Sequence, residues 1–264
     1  MAGLILLFIL CFFMSFFLGR YPISPKLLLD VILSKITGST PYWSNSVEQV
    51  LFQVRFPRVI MGTLIGAGLS CAGAAYQGIF QNPMVSPSVL GSSAGAGFGA
   101  ALGLYFAQAE SVVTILAFLF GIGAVLLVCV IGGQVKHNQV LGLVLAGMMV
   151  GSLFSSAVSF LKLVADTSNT LPAITYWLMG SLSGIRQTDM LFAAPLIIAG
   201  IIPIFLLRWK LNVLTLGEEE AHCIGVNTKR VRWSVILCAT LITAAAVSVS
   251  GLIGWVGLVI PHLA

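Results

Sequence analysis

Residues 55–103 read RFPRVIMGTLIGAGLSCAGAAYQGIFQNPMVSPSVLGSSAGAGFGAALG. Two apolar stretches are joined by a short polar break at Gln81-Asn82-Pro83. The first carries Gly62, Gly66, Gly68, Gly73 and Gly78, and the second Gly91, Gly95, Gly97, Gly99 and Gly103. In water, this much glycine weakens a helix. In lipid, small residues let helix backbones approach closely, and packing then holds the helices together. The stretch therefore predicts a pair of transmembrane helices packed inside a bundle. Gly66, Gly73, Gly95 and Gly99 are expected against neighbouring helices. Larger neighbours such as Leu64 and Ile65 are expected toward lipid or in looser contact.

The rest of the chain agrees with a membrane setting. Of its 264 residues 58% are hydrophobic and 8% charged, and the mean hydropathy is +1.05. That balance predicts an all-α, polytopic membrane bundle, read as one transmembrane domain over residues 1–264. The net charge of +5 is dispersed, as loop charges beside a membrane are, and does not point to nucleic acid. Cys11, Cys71, Cys129, Cys223 and Cys238 have no metal-ligand spacing, and neither have His137, His222 and His262. The apolar N-terminus lacks a basic n-region and a small-residue cleavage site, so it reads as a retained span.

A span needs roughly 17–25 apolar residues. Seven candidates follow: Gly3–Gly19, Val59–Phe80, Val89–Phe106, Ser111–Ile131, Val140–Leu161, Leu191–Leu207 and Val235–Leu252. An eighth element begins at Gly254. Between the first two spans, Arg20–Val54 reads as a loop with one amphipathic helix around Pro25–Ile36. Val135-Lys136-His137-Asn138 reads as a turn, a short apolar helix is expected near Ala173–Met179, and Arg208–Arg232 reads as a charged loop. Alternate loops place six basic residues on one side and seven on the other, so charge bias does not set the orientation.

All eight carboxylates lie outside these spans. An ion-coupled carrier normally keeps an ionisable group at membrane depth, so the secondary-transporter alternative is disfavoured. There is no GxxxxGK[ST] loop, no HExxH and no GxSxG. The chain is read as neither an enzyme nor a metal or cofactor protein. In the charged loop, Leu214–Gly225 predicts a short surface helix. Glu218, Glu219 and Glu220 fall in its first turn, where negative charge suits the helix dipole. Gly217 precedes it and Gly225 can end it. Arg55 and Arg58, three apart, would share a helix face, which suits interface anchoring. Pro83 breaks the hairpin, because it lacks an N–H.

RFPR and the following GAxLxxAGAxxQxxFxNPxxxPxxLGxxxGA, then YWLMGSLSG at 176–184, LGEEEAHCIGV at 216–226 and GLIGWVGLVIPH at 251–262, together resemble the iron-siderophore and cobalamin permease family, the FecCD/BtuC type. Those proteins are transmembrane subunits of binding-protein-dependent ABC importers. The resemblance implies a BtuC-like bundle of about ten spans, of which this chain would hold seven or eight, truncated at its C-terminus. It implies a multi-pass protein of the cytoplasmic (inner) membrane with its N-terminus in the cytoplasm. It implies pairing with a second permease subunit as a homodimer or otherwise, with cytoplasmic ABC ATPase subunits, and with a periplasmic or lipid-anchored substrate-binding protein. The implied substrate is a ferric siderophore, haem or a cobalamin-like molecule, with an oxyanion not distinguished by these motifs. Residue by residue, Gly217, Glu218, Glu219, Glu220, Ala221 and Gly225 resemble the helix that meets the ATPase. Arg55 and Arg58 resemble the arginines that meet the binding protein. Asn82, Pro83 and Met84 resemble the cytoplasmic gate, and Tyr176, Trp177, Met179 and Gly180 the short periplasmic helix.

Overall fold

A computed structural model describes residues 2–19, 21–38, 42–107, 109–135 and 139–263, without the side chains of Ala2, Ile36 and Glu218. Arg20, Pro41, the Lys136-His137-Asn138 turn and Ala264 lie outside the described residues. The described residues form helices joined by turns and loops, with no strand among them. The order is α1 (Ala2–Phe17), α2 (Pro25–Thr37), α3 (Asn45–Gln49), a π-helical turn (Val50–Arg55), α4 (Phe56–Phe80), α5 (Ser92–Tyr105), α6 (Glu110–Gly132), α7 (Gln139–Val164), α8 (Thr170–Met179), α9 (Gln187–Leu206), α10 (Arg208–Leu214), α11 (Glu218–Cys223), α12 (Thr228–Ser250) and α13 (Val256–Leu263).

Among the described residues, five helical runs are long and apolar enough to cross a membrane: Asn45–Phe80, α6, α7, α9 and α12. The other two expected spans are shorter. Helix α1 has 16 residues and exposes Leu4, Leu7, Leu10 and Met14. Helix α5 has only 14 residues, because residues 81–91 form turns rather than a three-residue break. Pro83 and Pro87 remove donors there, and Gly91 enters α5 with φ 79°.

The helix at Pro25 starts as expected, with Ser24 accepting from the Leu27 N–H and Pro25 at the first helical position. The segment after it differs from the loop expected. Helix begins at Asn45, and the π turn carries it past Pro57 without a break. In that turn the Phe56 N–H bonds to the Leu51 carbonyl, five residues back. The wider turn shifts the hydrogen-bond register just before the proline, whose ring would otherwise meet the ladder.

The chain divides into two compact units. One comprises Met1–Thr63 with Leu182–Leu191, the other Leu64–Ser181 with Phe192–Ala264. In the first, Phe16, Ile23, Leu28, Val31, Val47 and Leu51 form a buried cluster. In the second, α5 packs on α6, α7, α8 and α12. Its smallness makes that possible. Gly95 faces the Phe120 carbonyl and Ala124, and Gly99 faces the Leu116 carbonyl, each with no space for a Cβ. Ala96, Ala100 and Ala117 are fully buried beside them.

The glycine expectations divide. Gly73, Gly95 and Gly99 sit against neighbouring backbones, but nothing lies within 4 Å of a Cβ placed on Gly66. Ile65, expected in loose contact, is only 2% exposed. Side chains along α4 thus alternate by helical face and not by size, so Ile65 fills the core while Gly66 turns away from it.

Candidate functional site

In the second unit, α10, α11 and α12 pack together and carry the acidic loop. Helix α11 begins at a glycine and ends in a hydrogen-bonded cap. At its start Gly217 has φ 134°, and the Glu220 carboxylate folds back over it into the space a side chain would need. At its end the Val226 N–H bonds to the Ala221 carbonyl at 2.9 Å and the Gly225 N–H to the His222 carbonyl at 3.0 Å. With Gly225 at φ 84°, this is a Schellman cap, and buried Ala221 and Val226 make its apolar contact. Both glycines therefore sit where the sequence suggested, and for the expected reason. Exposed are Leu216 (65%), Glu219, Glu220, His222, Cys223 and Ile224. The backbone of Glu218 begins the helix. A short helix with a Schellman-capped end and with apolar and acidic groups outward is a rigid contact surface.

The loop after α4 lies in the same unit. Asn82 Oδ1 accepts the Met84 N–H at 2.9 Å, and the Asn82 N–H bonds to the Gln77 carbonyl at 3.2 Å. These bonds fix an Asx turn at Pro83. Met84 projects 72% exposed while Val85 behind it is buried. Gln81, which sequence reasoning passed over, reaches the other loop: its Nε2 donates to the Leu214 carbonyl at 2.8 Å. No local pattern could have announced a bond across 133 residues.

Arg55 and Arg58 belong to the first unit, where they line one groove of about 960 Å³ with Phe12, Ser15, Val54 and Val59. The pair divides in depth. Arg55 is only 7% exposed, and its guanidinium donates to the carbonyls of Phe16, in the last turn of α1, and of Tyr21, beyond it. Gly19 leaves the room for it, since a Cβ there would lie 2.8 Å from Arg55 Nη2. Arg58 is half-buried and donates to the Ser183 carbonyl. Of the two, Arg58 is the more open to a partner.

Tyr176 and Met179 are exposed on α8, and the backbone after it is held firmly in the second unit. The Ser181 N–H bonds to the Ser250 carbonyl at 2.7 Å, and Gly180 and Gly251, at φ 71° and 69°, pack against Leu252 and Trp177. Non-helical backbone among transmembrane helices needs such protein partners. Among the described residues there is no group of three metal-ligating side chains.

Comparison with known proteins agrees with this architecture. The profile of the FecCD transport family matches residues 6–264. The molybdate import system permease protein MolB of Haemophilus influenzae is 37% identical over 262 residues, covering 99% of this chain and 77% of that protein. A permease named for iron chelatin transport in Helicobacter pylori is 41% identical over 220 residues, covering 83% of this chain and 66% of its own. A solved structure described as an inward-facing conformation of a metal-chelate type ABC transporter superposes with a TM-score of 0.86 at 36% identity, covering 99% of this chain and 79% of that one.

Proposed function

The chain belongs to the FecCD transport family, and from that premise we propose that it is the membrane permease subunit of a binding-protein-dependent ABC importer. It passes an iron chelate or cobalamin-like molecule across the cytoplasmic membrane. The likeness to a permease named for molybdate brings a metal oxyanion within the same class of cargo. The chain supplies the path, and ATP is hydrolysed on partner subunits. Two permease copies, or this chain and a second permease, enclose the path.

The observation that carries this reading is α11. A helix of six residues buries little by itself, yet its C-terminal end is capped, and it turns Glu219, Glu220, His222 and Cys223 outward, flanked by exposed Leu216 and Ile224. Such a helix transmits a push without bending, which is what an ATPase requires of its contact. In this reading α11 and the N-terminus lie in the cytoplasm, and Asn82, Pro83 and Met84 narrow the inner exit. Arg58 lies at the outer end, where it meets a carboxylate of the binding protein, and Arg55 fixes the turn beneath it. Charge pairing of that kind governs orientation and on-rate more than affinity.

The test is reconstitution of the chain in vesicles with an ABC ATPase and a loaded binding protein. Uptake that needs hydrolysable ATP and both partners is expected. Uptake driven by an ion gradient with no ATPase present would overturn the proposal in favour of a secondary carrier.

A further inference from the structure

We propose that Gln81 is a positioning residue that couples the ATPase-contact loop to the gate loop, resting on the reading of α11 and of Asn82–Met84 given above. Gln81 follows the last residue of α4 and has φ 48°, a left-handed conformation uncommon for a residue with a side chain. Such a conformation persists where surrounding contacts determine it. Here the determining contact is the side chain itself. Nε2 donates to the Leu214 carbonyl at 2.8 Å, and because a carbonyl can only accept, the amide orientation is fixed.

The acceptor is well chosen for transmission. Leu214 ends α10, its side chain is buried, and its carbonyl also lies 3.3 Å from the Gly217 N–H. Gly217 in turn starts α11 and carries the Glu220 carboxylate over its backbone. On the other side, the residue after Gln81 is the Asn82 of the stiff Asx turn that presents Met84. Two capped or hydrogen-bonded segments are thus joined by one amide within one compact unit. A displacement of α11 moves the Leu214 carbonyl, and the Gln81 bond carries that movement to the turn.

Two measurements test it. In the first, no ATPase is needed. Spin labels are placed on the exposed native Cys223 of α11 and on Met84→Cys, with the other four cysteines replaced by alanine. Gln81→Met keeps the side-chain length and loses the donor, and it should broaden the distance distribution between the labels. Gln81→Lys, which restores a donor, should narrow it again. An unchanged distribution in Gln81→Met overturns the inference.

In the second, the full chain is reconstituted with ATPase and loaded binding protein. Gln81→Met should still assemble and hydrolyse ATP, but uptake per ATP should fall about fivefold, the effect of losing one ordinary hydrogen bond. Gln81→Lys should recover most of it. An unchanged ratio in Gln81→Met, where the parent couples, also overturns the inference. If the parent itself shows no ATP-dependent uptake, the proposed function fails, and the label distances alone decide for or against the Gln81 link.

Discussion

Gly73 lies against the carbonyl of Gly257 with no room for a Cβ between the two backbones. Helix α4 and helix α13 therefore meet through backbone at this point, and Gln77 Nε2 reinforces the crossing by donating to the Leu258 carbonyl at 3.2 Å. Pro261 lies in α13 and has no N–H to give the helix ladder. The carbonyl left without its helical donor is that of Gly257, the one that faces Gly73. Replacing Gly73 with leucine must push the helices apart, at a cost of about 1–3 kcal/mol or more. Gly66 is the internal control. It faces open space on the same helix, so Gly66→Ala should be neutral or stabilise by about 0.5–1 kcal/mol through helix propensity. Melting temperatures in one detergent check both. Equal melting of Gly73→Leu and the parent would mean that the crossing does not hold α13.

The capped helix gives a second expectation. At Gly225 nothing lies within 4 Å of an added Cβ, so any penalty there is conformational and not steric. Its φ of 84° should make Gly225→Ala cost about 1–2 kcal/mol locally. Gly225→Asn, which tolerates that region better, should cost less. Amide exchange over residues 218–226 reads this directly, since a frayed cap exposes the Val226 N–H. At Gly217 the backbone penalty is again present, at φ 134°, and an alanine Cβ would in addition displace the Glu220 carboxylate. Gly217→Ala should therefore loosen the start of α11 even where Gly225 is intact. Exchange rates unchanged in both variants would remove the rigid-helix argument for an ATPase contact.

Which parts could be read beforehand follows from the range of the interactions. Gly217 and Gly225 bracket a helix through bonds spanning a few residues, so their roles were visible in LGEEEAHCIGV. Pro25 after Ser24 marked α2 in the same local way. Ser44, a residue type that caps helices, and Val47 and Leu51, four apart and both buried, do mark the helix entering at Asn45. Pro57 hides that helix, because no sequence pattern announces the π turn that accommodates it. Small size alone could not tell Gly73 from Gly66, since a glycine-rich helix looks equally smooth on every face. The Gln81 to Leu214 bond and the burial of Arg55 are set by tertiary geometry. A reading of RFPR therefore places two arginines together when the fold separates them by depth.

The more open member of that pair, Arg58, predicts a kinetic effect. Arg58→Glu should slow association with a loaded binding protein and flatten the salt dependence of the rate, because steering acts before contact and is screened over about 8–10 Å at physiological ionic strength. Dissociation should change less. Surface-immobilised permease in nanodiscs, titrated with binding protein at two salt concentrations, measures both rates. An on-rate equal to the parent's at low salt would take Arg58 out of the docking surface.

The buried member predicts a coupling energy. Arg55 donates to the carbonyls of Phe16 and Tyr21, and both bonds require the guanidinium to pass over Gly19. Arg55→Ala should destabilise by about 1.5–3 kcal/mol, the usual worth of hydrogen bonds to a charged group. Gly19→Val should cost nearly as much for a different reason: its side chain occupies the space where Arg55 Nη2 now lies and displaces the donor. The two losses are one loss counted twice. The double variant should accordingly be little worse than either single one, with a coupling of about 1–2 kcal/mol in a double-mutant cycle. Arg55→Lys should not rescue, because a single ammonium cannot span two carbonyls as the planar fork does. Denaturation midpoints of the four proteins in one detergent supply the cycle. Additive costs would show that Gly19 and Arg55 act separately, and that Arg55 does not hold the turn under Arg58.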